Sequence, residues 1–191
     1  MTDLMRYASV LSGEGGGGGL PPVERWDPPY CGELDLVIQR DGLWIYEGTP
    51  IGRAPLVRLF STVLKKEGER YFLVTPVEKL GVKVADAPFL AVLMREEEGA
   101  RGRRLVFTTN VGEEIVAGPG HEIDFRESAV KGERAPYIHV RAGLWALVAR
   151  AVFYDLVALG ETRDIGGEAH FGVMSEGEFY SFGPAAALGE W

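Results

Sequence analysis

Leu34-Asp35-Leu36-Val37-Ile38-Gln39-Arg40-Asp41-Gly42-Leu43-Trp44-Ile45-Tyr46-Glu47-Gly48-Thr49-Pro50-Ile51 decides the fold. Two apolar, β-branched or aromatic runs, 34–39 and 43–51, flank Asp41-Gly42, a dipeptide suited to the left-handed backbone of a tight hairpin turn. The body of the chain therefore opens as an antiparallel hairpin. Pro55 then stands where a first helical turn accepts it, and Leu56, Val57, Phe60, Val63 and Leu64 repeat at helical spacing until Gly68. Strands are expected next over 71–77, 81–85 and 89–95.

A charged segment, 95–104, contains four arginines, three glutamates and two glycines with no large apolar anchor, so it is either a domain boundary or a long hairpin tip. Beyond it, strands are expected over 105–109, 114–117, 122–126 and 137–141, a helix over 144–159 capped by Gly160, and a hairpin around Glu176-Gly177. The helix is apolar on nearly every side and reads as a buried hub, with Arg150 in its middle seeking a carboxylate or an anionic ligand. The fold class is α+β in two small sheet-plus-helix halves. The expected divisions are an arm with a glycine tether (1–20), an N-terminal half (21–95), a C-terminal half (96–183) and a tail (184–191). Asp41-Gly42-Leu43-Trp44 with Gly48 has a faint echo in Glu176-Gly177-Glu178-Phe179 with Gly183, which either marks a duplication or reflects common turn chemistry.

The 191 residues carry 20 Lys plus Arg against 28 Asp plus Glu, a formal net charge of -8 that repels phosphate backbones and argues against nucleic acid as a partner. Cys31 is the only cysteine, so no intrachain disulfide forms and a cytoplasmic location is the expectation. The N-terminus lacks the charged and apolar regions of a secretory signal. The apolar stretch 144–159, broken by Arg150 and Asp155, falls short of the roughly 20 residues that span a bilayer, so no membrane anchor is expected. Gly15 to Gly19 matches a dinucleotide-binding glycine pattern only because glycine fills nearly every position; it reads as a tether, and no cofactor is expected.

Candidate binding residues sit at element ends. Alternation along 137–141 puts Tyr137, His139 and Arg141 on one face, able to hold an anion or simply to face water. Arg53 and the Thr75-Pro76-Val77-Glu78 turn offer a second set, with an Arg53–Glu78 salt bridge as the structural alternative. Trp26 either packs on the core or walls a cleft. His121, His139 and His170 lack metal-ligand spacing, and no nucleophile elbow, phosphate loop or zinc motif appears. Cys31 reads as a buried small hydrophobe, or as a nucleophile if His139 lies beside it.

Together, Trp26-Asp27-Pro28-Pro29-Tyr30-Cys31-Gly32, Arg40-Asp41-Gly42-Leu43-Trp44-Ile45-Tyr46, Pro50-Ile51-Gly52-Arg53, Thr75-Pro76-Val77-Glu78-Lys79 and Tyr137-Ile138-His139-Val140-Arg141 resemble the bacterial family called domain of unknown function 1285 (DUF1285). The resemblance covers most of 21–183. It implies a duplicated α+β architecture, a C-terminal half superficially like a pleckstrin-homology fold, a binding site between the halves and a role in signalling, with no established activity. The leading expectation is a non-catalytic protein that binds a small anionic or nucleotide-like ligand in that cleft through Arg53, Thr75, Glu78, Tyr137, Arg141, Arg150 and Trp26. One alternative is a protein-interaction adaptor using exposed sheet edges; another is a hydrolase or transferase using Cys31 or His139.

Overall fold

The computed structural model describes residues 20–190, so the N-terminal arm and the glycine tether lie outside the described residues. The chain divides into two compact units that meet at Ala85 and Asp86.

The first unit runs β1 (Tyr30–Ile38), β2 (Trp44–Tyr46), β3 (Thr49–Pro50), α1 (Ala54–Thr62), β4 (Leu64–Glu67), β5 (Arg70–Val74) and β6 (Lys79–Val84). Its six strands lie in the order β3-β2-β1-β6-β5-β4, with β1 and β6 parallel at the centre and every other pair antiparallel. The expected hairpin is present. Asp41 accepts the Leu43 amide at 3.0 Å, Gly42 sits at φ 84°, and the Gln39 amide closes on the Leu43 carbonyl at 2.8 Å. Helix α1 starts beside Pro55 as expected but stops at Thr62, earlier than the apolar spacing suggested. The hydroxyls of Ser61 and Thr62 turn back to the carbonyls of Arg58 and Leu59, at 2.7 Å each, and compete with continuation of the helix. Leu64 thereby begins a strand. One sheet face buries Leu36, Ile38, Leu64 and Leu73 fully; Phe60 of the helix is fully buried too.

The second unit runs β7 (Phe89–Gly99), β8 (Gly102–Thr109), β9 (Glu114–Val116), β10 (Ile123–Glu127), β11 (Arg134–Arg141), β12 (Leu144–Val148), α2 (Arg150–Ala158), β13 (Glu161–Ile165), β14 (Glu168–Ser175) and β15 (Glu178–Pro184). Its first six strands lie in the order β10-β11-β12-β7-β8-β9, again with the central pair, β12 and β7, parallel. Numbered from the first strand of each unit, both sheets therefore have the same order, two three-stranded meanders joined through their first and last strands. The helix differs, lying between the meanders in the first unit and after them in the second. The remaining three strands form the sheet β13-β14-β15.

Three expectations need correction. The charged segment 95–104 is the tip of the β7–β8 hairpin, with Glu96 to Glu98 laddered against Arg103 to Leu105, so the units divide some ten residues earlier than expected. The helix expected over 144–159 is a strand followed by a helix: Ala142 and Gly143, both at positive φ, make a two-residue turn that sends β12 back along β11. A buried apolar run satisfies strand and helix patterns alike, and β12 is buried because it lies between β11 and β7. The Glu176-Gly177 turn joins β14 to β15, outside the repeated sheet, so its echo of Asp41-Gly42 is turn chemistry and the likeness of the halves lies in strand order.

On the core face of the second sheet, Phe125 stacks on Phe153 of α2 at 5.8 Å and meets Phe182 of β15 at 5.6 Å. Phe171 joins Phe182 at 6.1 Å, so the extra sheet and α2 share one aromatic cluster with the main sheet. Among the described residues, no helix is long and apolar enough to cross a membrane.

Candidate functional site

The second unit scatters the residues expected to hold an anion. Tyr137 is buried to 1% exposure, donates its hydroxyl to Asp86 at 2.8 Å, and lies 4.5 Å beneath the Arg126 guanidinium, which also covers Trp145 at 4.4 Å. His139 shares this face, its ring 5.0 Å from Trp145. A bulge between His139 and Arg141 breaks the expected alternation. Arg141 accordingly pairs with Glu113 and lies 5.3 Å over Phe89, a residue opposite Ala146 on the other face of the sheet. Arg150 is not buried within a helix; it is the exposed first residue of α2 and donates to the Tyr154 hydroxyl at 2.9 Å. Replacing Tyr137 by phenylalanine removes this donor from the Asp86 carboxylate and is expected to cost about 1 to 2 kcal/mol in urea unfolding.

His139 acts as a brace. One ring nitrogen meets the Gly120 carbonyl at 2.7 Å and the other accepts the Gly143 amide at 3.3 Å, so both are occupied by main chain. Cys31 is exposed rather than buried, and its thiol donates to the Pro29 carbonyl at 3.4 Å. Neither arrangement pairs a nucleophile with a base. Among the described residues, no cluster of three or more His, Cys, Asp or Glu could hold a metal ion.

In the first unit, Arg53 is exposed at the start of α1, and no ion pair joins it to Glu78 among the described residues. Thr75 is buried and spends its hydroxyl on the turn, accepting the Glu78 amide at 3.2 Å while its own amide bonds the Glu78 carbonyl at 2.9 Å. That turn delivers Lys79, the first residue of β6, to a cationic and aromatic face that the sequence reading missed.

The register builds this face. Lys65 stands opposite Phe72, Phe72 opposite Gly81 and Gly81 opposite Glu33; one row away lie Val74, Lys79 and Tyr30, and on the other side Glu67 and Arg70. Tyr30 and Glu33 are three residues apart and would point to opposite faces of a regular strand. A bulge between them, with Gly32 at φ 115°, brings both to the same side, and the Tyr30 hydroxyl donates to Glu33 at 2.5 Å. Arg70 pairs with the same carboxylate and lies 4.9 Å over Phe72 and 5.3 Å over Tyr30.

Lys79 lies 5.1 Å over the Phe72 ring and donates to Glu67 at 2.8 Å. Lys65 approaches the same Glu67 at 3.3 Å and donates to the Trp26 carbonyl at 3.3 Å, so Trp26 borders this face through its main chain. The side chains of Lys65 and Lys79 are only 13% and 15% exposed. Three cations thus face two carboxylates. The hydrogen bond from Lys79, then that from Lys65, holds the Glu67 carboxyl below its ordinary value of 4.5 against the opposing effect of burial. A carboxyl depressed in the folded state contributes stability above its unfolded value that disappears as pH falls through the folded one. The first unit is therefore expected to lose stability on acidification below about pH 4.5, and Glu67→Gln to flatten that part of the stability profile.

Two family models meet within this chain: the N-terminal domain of the domain of unknown function DUF1285 matches residues 21–87, and the C-terminal domain of the protein of unknown function DUF1285 matches residues 88–182. The chain belongs to the DUF1285 family. The division between its domains agrees with the break between the two units of this DUF1285 chain. A solved DUF1285 family protein from Silicibacter pomeroyi DSS-3 is 47% identical, with a TM-score of 0.82 over 91% of this chain and 92% of that one. A DUF1285 family protein from Shewanella baltica OS155 is 30% identical, with a TM-score of 0.51 over 65% of this chain and 91% of that one. No match was found among curated proteins.

Proposed function

We propose that this DUF1285 chain is a non-catalytic binding protein that takes a small anionic ligand on the Lys65–Arg70–Lys79 face of its first unit. The observation that carries the reading is the convergence of two nearly buried ammonium groups on the single carboxylate of Glu67. Withdrawing a cation from water costs several kcal/mol unless a counter-charge meets it, and here one carboxylate serves two cations. An anion from solution supplies the missing charge. Phe72 and Tyr30 give the ligand's carbon skeleton a flat apolar edge, and Arg70 supplies a planar fork for an oxyanion. A ligand-responsive face would suit signalling, the role implied by the resemblance to the family, and a cytoplasmic setting would present small anionic metabolites to it.

A thermal-shift series against pyrophosphate, nucleotides, citrate and succinate tests the reading. At a concentration 100 times the dissociation constant, a ligand selective for the native state adds about 2.7 kcal/mol of stability and raises the melting temperature accordingly. Lys79→Met, which leaves Lys65 to balance Glu67, should abolish the rise. A cooperative melt that no anion moves, or a rise that persists in Lys79→Met, contradicts the proposal.

A second reading, an adaptor that recruits another polypeptide, has its own support. All five residues of β13 are exposed, and this strand pairs on one side with β14 and forms the edge of its sheet. Its open edge suits β-strand addition, although Glu161, Arg163 and Asp164 place the charges that edge strands use against it.

A further inference from the structure

Resting on the anion-binding reading of the same face, we infer that Glu33 is a built-in occupant of a carboxylate site, and that a small di- or tricarboxylate binds by displacing it. The site has three parts. Arg70 presents its guanidinium, the Tyr30 hydroxyl donates at 2.5 Å, and Gly81 leaves a gap in the row between Phe72 and Glu33. A Cβ on Gly81 would run into both oxygens and the carboxyl carbon of Glu33, so the bare glycine backbone is what makes room for a carboxylate at this point. The bulge at Gly32 then folds the chain's own carboxylate into that room.

Glu33 is not locked there. Its side chain is 51% exposed and that of Arg70 is 57% exposed, the setting in which an ion pair contributes little and exchanges readily with solvent. The two cations deeper on the same face, Lys65 and Lys79, share one carboxylate. A monocarboxylate that replaced Glu33 would exchange one carboxylate for another and gain nothing. A ligand with a second carboxylate gains Lys65 and Lys79 as well. Glu33 therefore sets a threshold that excludes monocarboxylates and admits small polycarboxylates, which can engage the arginine fork and the lysine pair together.

The test follows the Arg70 Nε–H signal by NMR in the full chain, titrated with sodium acetate against sodium chloride at matched ionic strength. Native protein should respond to acetate at least tenfold more weakly than Glu33→Ala, in which the site is vacated. Adding Gly81→Ala to Glu33→Ala should refill the gap and remove the response. Circular dichroism melts of both variants establish that the fold is kept. Equal acetate responses in native protein and Glu33→Ala, or a response that survives Gly81→Ala, overturn the inference.

Citrate separates the two claims. If citrate stabilises native protein through Lys79 while Glu33→Ala leaves acetate binding unchanged, the displacement inference falls and the anion-binding function stands. If no anion of the thermal-shift series moves native protein while acetate binds Glu33→Ala, the proposed function and displacement by a polycarboxylate both fall, and only the carboxylate site that Glu33 occupies stands.

Discussion

Gly172→Ala is expected to be among the most damaging single-methyl substitutions in the second unit, costing about 3 kcal/mol or more in urea unfolding. Gly172 lies in β14 between β13 and β15, where the pairing with β15 slips by a residue between Phe171 and Gly172. A Cβ at this position would meet the Tyr180 carbonyl oxygen and, at 2.9 Å, both the Ser181 Cα and the tip of the Phe179 ring. Two of those atoms are backbone and cannot swing aside as a side chain could. The strands must part, and Phe182, which anchors β15 to Phe125 and Phe153, moves with them. Gly52→Ala is the matched control: nothing stands within 4 Å of its added methyl and its backbone needs no left-handed angle, so it should be neutral or slightly stabilising.

Ser175→Ala should cost about 2 to 4 kcal/mol, although it removes one oxygen from a side chain of nearly unchanged volume. Ser175 is fully buried. Its hydroxyl donates to the Ala117 carbonyl at 2.6 Å and accepts the Leu105 amide at 3.0 Å. Those two main-chain groups belong to the end of the β8–β9 ladder, where the Ala117 amide still bonds the Leu105 carbonyl at 2.9 Å. The serine bridges the ladder where it opens, and so ties β14 to the main sheet. Alanine leaves a buried donor and a buried acceptor without partners, each at about 1 to 3 kcal/mol. Ser128→Ala, whose hydroxyl bonds Val130 in an exposed turn, should cost under about 1 kcal/mol by comparison.

What could be read from the sequence was local. Asp41-Gly42 gave its turn because aspartate and glycine carry that geometry in their own side chain and backbone, as the Asp41–Leu43 bond confirms. Pro55 gave the start of α1 for the same reason, whereas the end of α1 depended on Ser61 and Thr62 competing for carbonyls a turn earlier. Strand β12 was hidden because Leu144 to Val148 is apolar on every side; the legible clue was the two-residue Ala142-Gly143 turn that precedes it. The family membership was legible in the dispersed motifs, and two matching family models bear it out.

The binding face was the least legible part. Lys65, Arg70, Lys79, Tyr30 and Glu33 come from four strands, and only the register of β1, β6, β5 and β4 lines them up. Alternation within β4 and β5, Lys65 with Glu67 and Arg70 with Phe72, was a usable signal for a shared face. The placement of Tyr30 beside Glu33 was not, since it requires the bulge at Gly32, and glycine in a strand announces a bulge without saying which residues it brings together. Tyr137, Arg141 and Arg150 drew attention as polar groups near apolar runs, but a bulge and a helix start give each its own partner.

Isothermal titration of citrate into the native chain and into Lys79→Met, at low and high salt, tests the central claim most directly. The account predicts a single site in the native protein, weakened as salt screens the lysines, and no measurable heat of binding in Lys79→Met. Equal binding by both proteins, or none by either, would contradict it.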